Sequence, residues 1–117
     1  MIVRISDAYH NTAGYIHENI IEDASNTPVG YIETSGIKNG SFDTVGYMVN
    51  NRIEDLNHNA IGYLEGDCLV DGSHTPMGYI LSDKLEDSYH NTVGYIHGPV
   101  DKRYVAVVLL FGFISIV

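Results

Sequence analysis

The sequence predicts an all-β protein made of six 16-residue, two-stranded repeats that close into a ring or meander. Three observations support this. The dipeptide Gly-Tyr recurs at a constant interval of 16 residues, the apolar positions around it keep the same interval, and the intervening residues are rich in Gly, Asn, Asp, Ser and Thr. Self-similarity at a fixed period is typical of repeat architectures. The six dipeptides begin at Gly14, Gly30, Gly46, Gly62, Gly78 and Gly94.

Each repeat is predicted to contain two short strands. The residues on both sides of Gly-Tyr are apolar, and an aliphatic residue recurs two positions before a column of Asp or Asn. These short runs are rich in β-branched residues and Tyr, which is typical of strands, and no apolar stripe at helical spacing crosses the unit. One strand is expected around Val-Gly-Tyr-Ile and the other around Ile-x-Asp. Four-residue linkers such as 17–20 and 33–36 are expected to join them.

An open row of hairpins would have exposed strand edges at both ends, and this favours closure into a ring. A single two-stranded hairpin is marginally stable in water, so each unit must bury its apolar side on its neighbours. A closed ring removes the free edges. The alternative is a β-solenoid with 16-residue coils. A solenoid needs protected ends, and neither end of this sequence has an obvious polar cap.

The C-terminal segment differs in composition from the repeats. The repeat breaks at Gly98 and Pro99, and residues 105–117 contain no charge. A ring of short hairpins leaves an apolar centre that must be filled, so the segment is predicted to be a central plug. Without a partner strand it must satisfy its own backbone, which favours a short helix over about 104–112. We therefore divide the chain into a repeat domain, 1–104, and an apolar segment, 105–117, packed into the same domain.

A membrane anchor and an exposed tail are the alternatives for this segment. Residues 104–117 would span about 21 Å as a helix, against about 30 Å for the hydrocarbon core of a bilayer. An exposed apolar tail would aggregate. The sequence starts without a signal peptide, so we expect a cytoplasmic location, with membrane association through 105–117 as the alternative.

The Val-Gly-Tyr-Ile…Ile-x-Asp repeat with its apolar C-terminal tail resembles the small bacterial β-flower proteins. Residues 5–96 share the repeat with that family, and the tail shares its apolar composition. It implies short hairpins around a pseudo-symmetric axis and brings no established activity. The sequence departs from the family in having six units where we expect four-fold symmetry, and in turns with Asn-Thr or Thr-Pro where we expect Gly.

The Gly-Tyr dipeptide offers a structural role and a candidate binding surface. The Gly can supply a positive φ or a bulge, or let another backbone approach closely. The Tyr column places one ring per unit at the same height, where each ring either packs into the protein or forms a carbohydrate- or peptide-binding surface. The candidate binding residues are Tyr15, Tyr31, Tyr47, Tyr63, Tyr79 and Tyr95.

Two polar columns are candidates for metal binding. One holds histidines four residues before the Gly, and in a narrow ring their imidazoles would converge on one ion. The other is the Asp column, whose carboxylates would suit Ca²⁺. Turn formation is the simpler explanation of both columns, so we predict no metal or other cofactor. The candidate histidines are His10, His58, His74 and His90.

Composition and motifs together predict a non-enzymatic structural or interaction module. The formal charge of −9 has the wrong sign for binding nucleic acid, and the single Cys68 excludes an internal disulfide. No phosphate-binding loop, Gly-x-Ser-x-Gly motif or His-Glu-x-x-His motif is present. The alternatives are a carbohydrate- or peptide-binding repeat domain that uses the Tyr column, and a membrane-tethered accessory domain. The partner is therefore expected to be a protein or a carbohydrate.

Overall fold

The computed structural model describes residues 2–116, in which twelve β-strands precede one α-helix. Each strand pairs antiparallel with its neighbours in sequence, and the first strand pairs with the last. The strands are β1 (Ile2–Asp7), β2 (Thr12–His17), β3 (Ile20–Asp23), β4 (Pro28–Glu33), β5 (Gly36–Asn39), β6 (Thr44–Val49), β7 (Arg52–Asp55), β8 (Ala60–Glu65), β9 (Cys68–Asp71), β10 (Pro76–Ile80), β11 (Lys84–Asp87) and β12 (Thr92–His97). The predicted closed ring is confirmed, and the solenoid alternative is wrong.

The ring consists of six hairpins, of which five are continuous in sequence. In those five, a Gly-Tyr strand leads through a tight turn into an Ile-x-Asp strand. The sixth hairpin, called the seam here, pairs β1 with β12 and sets Ile5 opposite Ile96. The two ends of the repeat region therefore close the ring without a turn between them.

The tight turns are shorter than the sequence predicted. In the first hairpin His17 and Ile20 are paired strand residues, which leaves only Glu18 and Asn19 in the turn. A two-residue connection matches the twist of antiparallel strands, so the pairing extends to the end of each strand. The predicted four-residue linkers at 17–20 and 33–36 are therefore wrong in length, because Glu33 likewise pairs with Gly36.

Wider turns at the opposite end of the strands carry the Asp and His columns. In each wide turn a carboxylate or amide oxygen accepts backbone N–H bonds from residues two and four positions later, as Asp71 does from Ser73 and Thr75 at 2.9 Å. The residue in the His register has a left-handed φ of between 63 and 68° in all six turns. Positive φ therefore lies in the turn, and the Gly-Tyr glycines are not among the described positive-φ residues.

Close approach is the reason for the Gly of each dipeptide. A Cβ on Gly14 would lie 2.5 Å from the carbonyl oxygen of Glu22 and 2.6 Å from Ile114. Real Cβ atoms do not approach other atoms so closely, so only Gly fits between the facing strand and the centre of the ring. The residue before each Gly is the unpaired residue of a β-bulge, as at Met77, where the register shifts between Pro76 and Gly78.

The centre of the ring is filled by the C-terminal segment, as predicted. The helix α1 (Lys102–Phe111) starts at Asp101, whose carboxylate accepts the Arg103 N–H at 2.9 Å. It ends at Gly112, which has a left-handed φ of 66°. Residues 105–108 are buried, and 105–116 are called the plug below. Within residues 2–116, no helix has the length and apolar character needed to cross a bilayer.

Candidate functional site

The six Tyr rings of the Gly-Tyr dipeptides lie on the outer surface of the ring. Successive strand residues face opposite sides of a sheet. The Gly and the residue after the Tyr face the plug, so the Tyr between them faces outward. All six tyrosines are half-buried. The outer surface around them is called the outer wall below.

Four of these Tyr rings are covered on one face by a His ring from the wide turn of the next repeat. The ring centroids lie 4.0 to 4.4 Å apart and the ring planes differ by 13 to 18°. At Tyr31 the partner is Phe42, which makes an edge-on contact at 5.1 Å. The Tyr and His columns therefore form one repeated element. The four stacks are Tyr47–His58, Tyr63–His74, Tyr79–His90 and Tyr95–His10.

Carboxylates hold three of the stacked histidines in place. The Nδ1 atoms of His58, His74 and His90 each lie 2.9 Å from a Glu oxygen. A carboxylate only accepts hydrogen bonds, so Nδ1 carries the proton in each pair. The hydrogen bond from His58 holds the pKa of Glu54 below its usual value, against the opposing effect of desolvation. Glu54 is therefore ionised although its side chain is almost completely buried.

The candidate metal ligands are not brought together. His10, His58, His74 and His90 each stack on a different Tyr along the outer wall. The carboxylates of the Asp column accept hydrogen bonds from backbone N–H groups of the wide turns, as Asp71 does. Among residues 2–116, no group of three or more His, Cys, Asp or Glu side chains could hold a metal ion.

The seam breaks the symmetry of the outer wall with a Ser–His hydrogen bond. Ser6 is fully buried, and its Oγ lies 2.9 Å from Nε2 of His97. Burial, together with the charges of Arg4 and His10, lowers the pKa of His97. Because Ser6 has no accessible surface, a substrate cannot reach its oxygen, and the pair acts as a hydrogen bond between β1 and β12. The sequence signal was a Ser in a register that holds Glu or Lys in four other repeats.

An apolar cavity beside β10 and β11 is a second candidate site, which the sequence did not predict. It is partly open and has a volume of about 230 Å³. Its walls are mainly aliphatic, and its lining also includes Tyr79, Glu86 and Asp87. The apolar residues of its lining include Leu69, Met77, Leu85, Val93, Leu109 and Ile116.

Comparison with known proteins identifies a family but no individual relative. A family model described as "5-fold beta-flower protein" matches residues 3–113. Comparisons with curated proteins and with solved structures find no match. The family that matches is five-fold, whereas four-fold symmetry was expected, and this chain itself has six Gly-Tyr repeats. Since the match covers nearly the whole chain and agrees with a closed ring of hairpins, the chain belongs to the beta-flower family.

Proposed function

We propose that this protein is a non-enzymatic interaction module that binds neutral carbohydrate on the outer wall of its ring. One observation carries the proposal: equivalent Tyr–His stacks recur around the wall, and their His side chains are more than half exposed. The exposed fractions are 64% for His58, 55% for His74 and 61% for His90. Each stack offers a flat aromatic face fixed on a rigid sheet.

The ligand class follows from the groups beside each stack. Sugars have apolar C–H faces that pack on aromatic rings, and hydroxyls that donate to carboxylates. At His74, the Glu65 carboxylate lies 2.9 Å from the imidazole and is itself half exposed. The formal charge of −9 disfavours acidic sugars, which favours neutral ones.

The ligand is expected to contact the His column, and not the Tyr column that the sequence suggested. The Tyr rings are half-buried, and in four repeats one ring face is already covered by His. Tyr15 and Tyr31 have no stacked His, so we do not expect those repeats to bind. Several weak sites on one rigid ring would engage a polymer together, and linked sites raise avidity by about 10²- to 10⁴-fold.

The absence of an enzymatic role in this proposal rests on how the polar residues are used. The Asp column binds the wide turns, the Glu–His pairs orient the stacks, and Ser6 is buried at the seam. A membrane-tethered role has less support, because residues 105–108 of the plug are buried inside the ring.

Titration with neutral oligosaccharides such as maltohexaose, cellohexaose and xylohexaose tests the proposal. We expect shifts of the His ring signals in NMR spectra, and loss of binding in a quadruple variant with His10→Ala, His58→Ala, His74→Ala and His90→Ala. The matched control is Tyr89→Ala, which removes an aromatic ring that is 84% exposed but belongs to no Tyr–His stack. Binding that survives the quadruple variant, or that depends on Tyr89, would contradict the proposal.

A further inference from the structure

The plug fills the hairpins of the ring unequally. At four glycines of the inner column, a plug side chain lies 2.6 to 2.7 Å from the position that a Cβ would take. At Gly94 the plug atom, from Ile116, is more distant, at 3.4 Å. At Gly78 the three nearest atoms all belong to Glu86 and Asp87, and none belongs to the plug. The four close pairs are Gly14–Ile114, Gly30–Phe113, Gly46–Phe111 and Gly62–Leu110.

The apolar cavity lies at this unfilled hairpin. Gly78 is part of its lining, and Leu109 and Ile116 of the plug form its inner side. Met77, which is 47% exposed, is the most exposed residue of the lining and lies on the bulge before Gly78. The cavity is therefore the place where a plug side chain would lie if the plug followed the symmetry of the ring.

We propose that this cavity is a binding site for a small uncharged aromatic molecule or phenyl group. The equivalent hairpins indicate the size of the occupant, since Phe113 lies against Gly30 and Phe111 against Gly46. The volume of about 230 Å³ is sufficient, because cavities of about 150 Å³ with aliphatic linings bind benzene.

The two carboxylates of the lining do not require a polar ligand. Glu86 accepts from His90 at 2.9 Å and pairs with Lys84 at 3.3 Å. Asp87 accepts the backbone N–H groups of Tyr89 and Asn91 at 2.9 Å. Both carboxylates already have partners, so an apolar ligand leaves no charge unpaired.

The cavity is separate from three of the four Tyr–His stacks. Its lining includes Tyr79 and Glu86, which belong to the Tyr79–His90 stack or hold it, but no residue of the other three stacks. A variant at His74 is therefore expected to leave the cavity intact.

The experiment is a titration of the full chain with benzene and with toluene, followed by the methyl NMR signals of Val93 and Leu109. Saturable shifts are expected. Val93→Phe supplies the missing ring, so we expect it to weaken probe binding by at least about tenfold while keeping or raising the melting temperature. His74→Ala on the outer wall is the control and should leave probe binding unchanged.

Three results would overturn the inference. One is the absence of saturable shifts in the full chain. Another is probe binding by Val93→Phe with unchanged affinity. The third concerns Val117, which follows Ile116 and lies outside the described residues. If the probe binds only after Val117 is removed, the occupant of the cavity is the chain's own last residue and not a ligand. Oligosaccharide titration of Val93→Phe separates the two proposals, since carbohydrate binding should persist in that variant.

Discussion

The inside and the outside of the ring follow the same repeat but differ in how their residues are supported. On the inside, glycines of the repeat meet a plug that has no repeat, so the plug neighbour differs between hairpins, as with Phe113 at Gly30 and Leu110 at Gly62, and is missing from the nearest atoms at Gly78. On the outside, each repeat meets the next copy of itself, as in the stacks Tyr47–His58 and Tyr63–His74. Variants on the inside should therefore depend on the hairpin, whereas variants of the Asp column on the outside should not.

Removal of the plug should have the largest effect. Deletion of residues 105–117 exposes the inner aliphatic residues, and each buried valine contributes about 1.5 to 3 kcal/mol. The free energy contributed by three buried valines, Val105, Val107 and Val108, alone approaches the total stability of a small domain, which is about 5 to 15 kcal/mol. We expect an unfolded or aggregated chain by circular dichroism. Val107→Asp should unfold the protein likewise, whereas Val49→Asp, at a residue that is 42% exposed on the outside, should not. A folded, soluble deletion variant would show that the plug is dispensable.

Two neighbouring leucines of the plug should differ in their contribution. Leu110 packs against Gly62, whereas Leu109 lines the open cavity. A Leu→Ala change in a core costs about 2 to 5 kcal/mol, with the value set by how tightly the site is packed. Chemical denaturation should place Leu110→Ala in that range and Leu109→Ala below it. Equal losses would mean that the Gly78 hairpin is as well filled as the others.

The inner glycines should respond to the plug residue that faces them. Gly30→Ala would bring a methyl group to within 2.7 Å of the Phe113 ring, and overpacking of this kind costs about 1 to 3 kcal/mol. In a Phe113→Ala background the methyl group has space. The double variant should therefore lose less free energy of unfolding than the sum of the two single losses. Gly78→Ala should gain nothing from changes in the plug, because its Cβ would meet the Glu86 carbonyl oxygen at 2.5 Å. Additive effects at Gly30 would contradict the close contact.

On the outside, the Asp column should give a smaller and uniform effect. Asp71→Ala removes the acceptor of two backbone N–H groups in an exposed turn, and we expect a loss of about 1 kcal/mol in thermal denaturation. Asp71→Asn is the matched control and should be almost neutral, because Asn39 makes the same two bonds at 3.0 Å in its own turn. Asp55→Ala should match Asp71→Ala, and a large difference between the two would show that the turns are not equivalent.

The Glu–His pairs should give the smallest effect, visible as a dependence of stability on pH. The hydrogen bond from His58 lowers the pKa of Glu54 from its ordinary 4.5 in the folded protein. The folded state therefore binds that proton less readily than the unfolded state, so the stabilisation is present above pH 4.5 and is lost as the pH falls through the folded pKa. Glu54→Gln should flatten the decrease in stability measured by denaturation between neutral and acidic pH. An unchanged slope would exclude Glu54 as its source.

The repeated part of the fold could be predicted because its information is local to each unit. The apolar positions that recur every 16 residues predicted two strands per repeat. The need to remove the exposed edges of a row of hairpins predicted the ring. The turns were harder, since the pairing of His17 with Ile20 depends on strand twist that a pattern of apolar residues does not encode. The helix was predictable from its lack of a partner strand.

The candidate sites were less predictable because they depend on contacts between units. The Tyr column was visible in the sequence, but its partner lies 11 residues later in the next repeat, as His58 does for Tyr47, and that contact requires the register of neighbouring hairpins. The cavity was not predictable at all. The plug side chains at the glycines come from the end of the helix, Leu110 and Phe111, and from residues after it. This segment does not repeat, and it leaves one of the six hairpins unfilled.

The seam also has a consequence for how the chain folds. Five hairpins join strands that are adjacent in sequence, whereas the contact between Ser6 and His97 joins residues 91 positions apart. Contacts between distant residues form slowly, because the chain entropy of closing a long loop must be overcome first. Until β12 has been synthesised and has reached β1, the sheet has two free edges and an empty interior. The most aggregation-prone state of this protein is thus the nearly complete nascent chain, and the last strand and the plug remove that risk together.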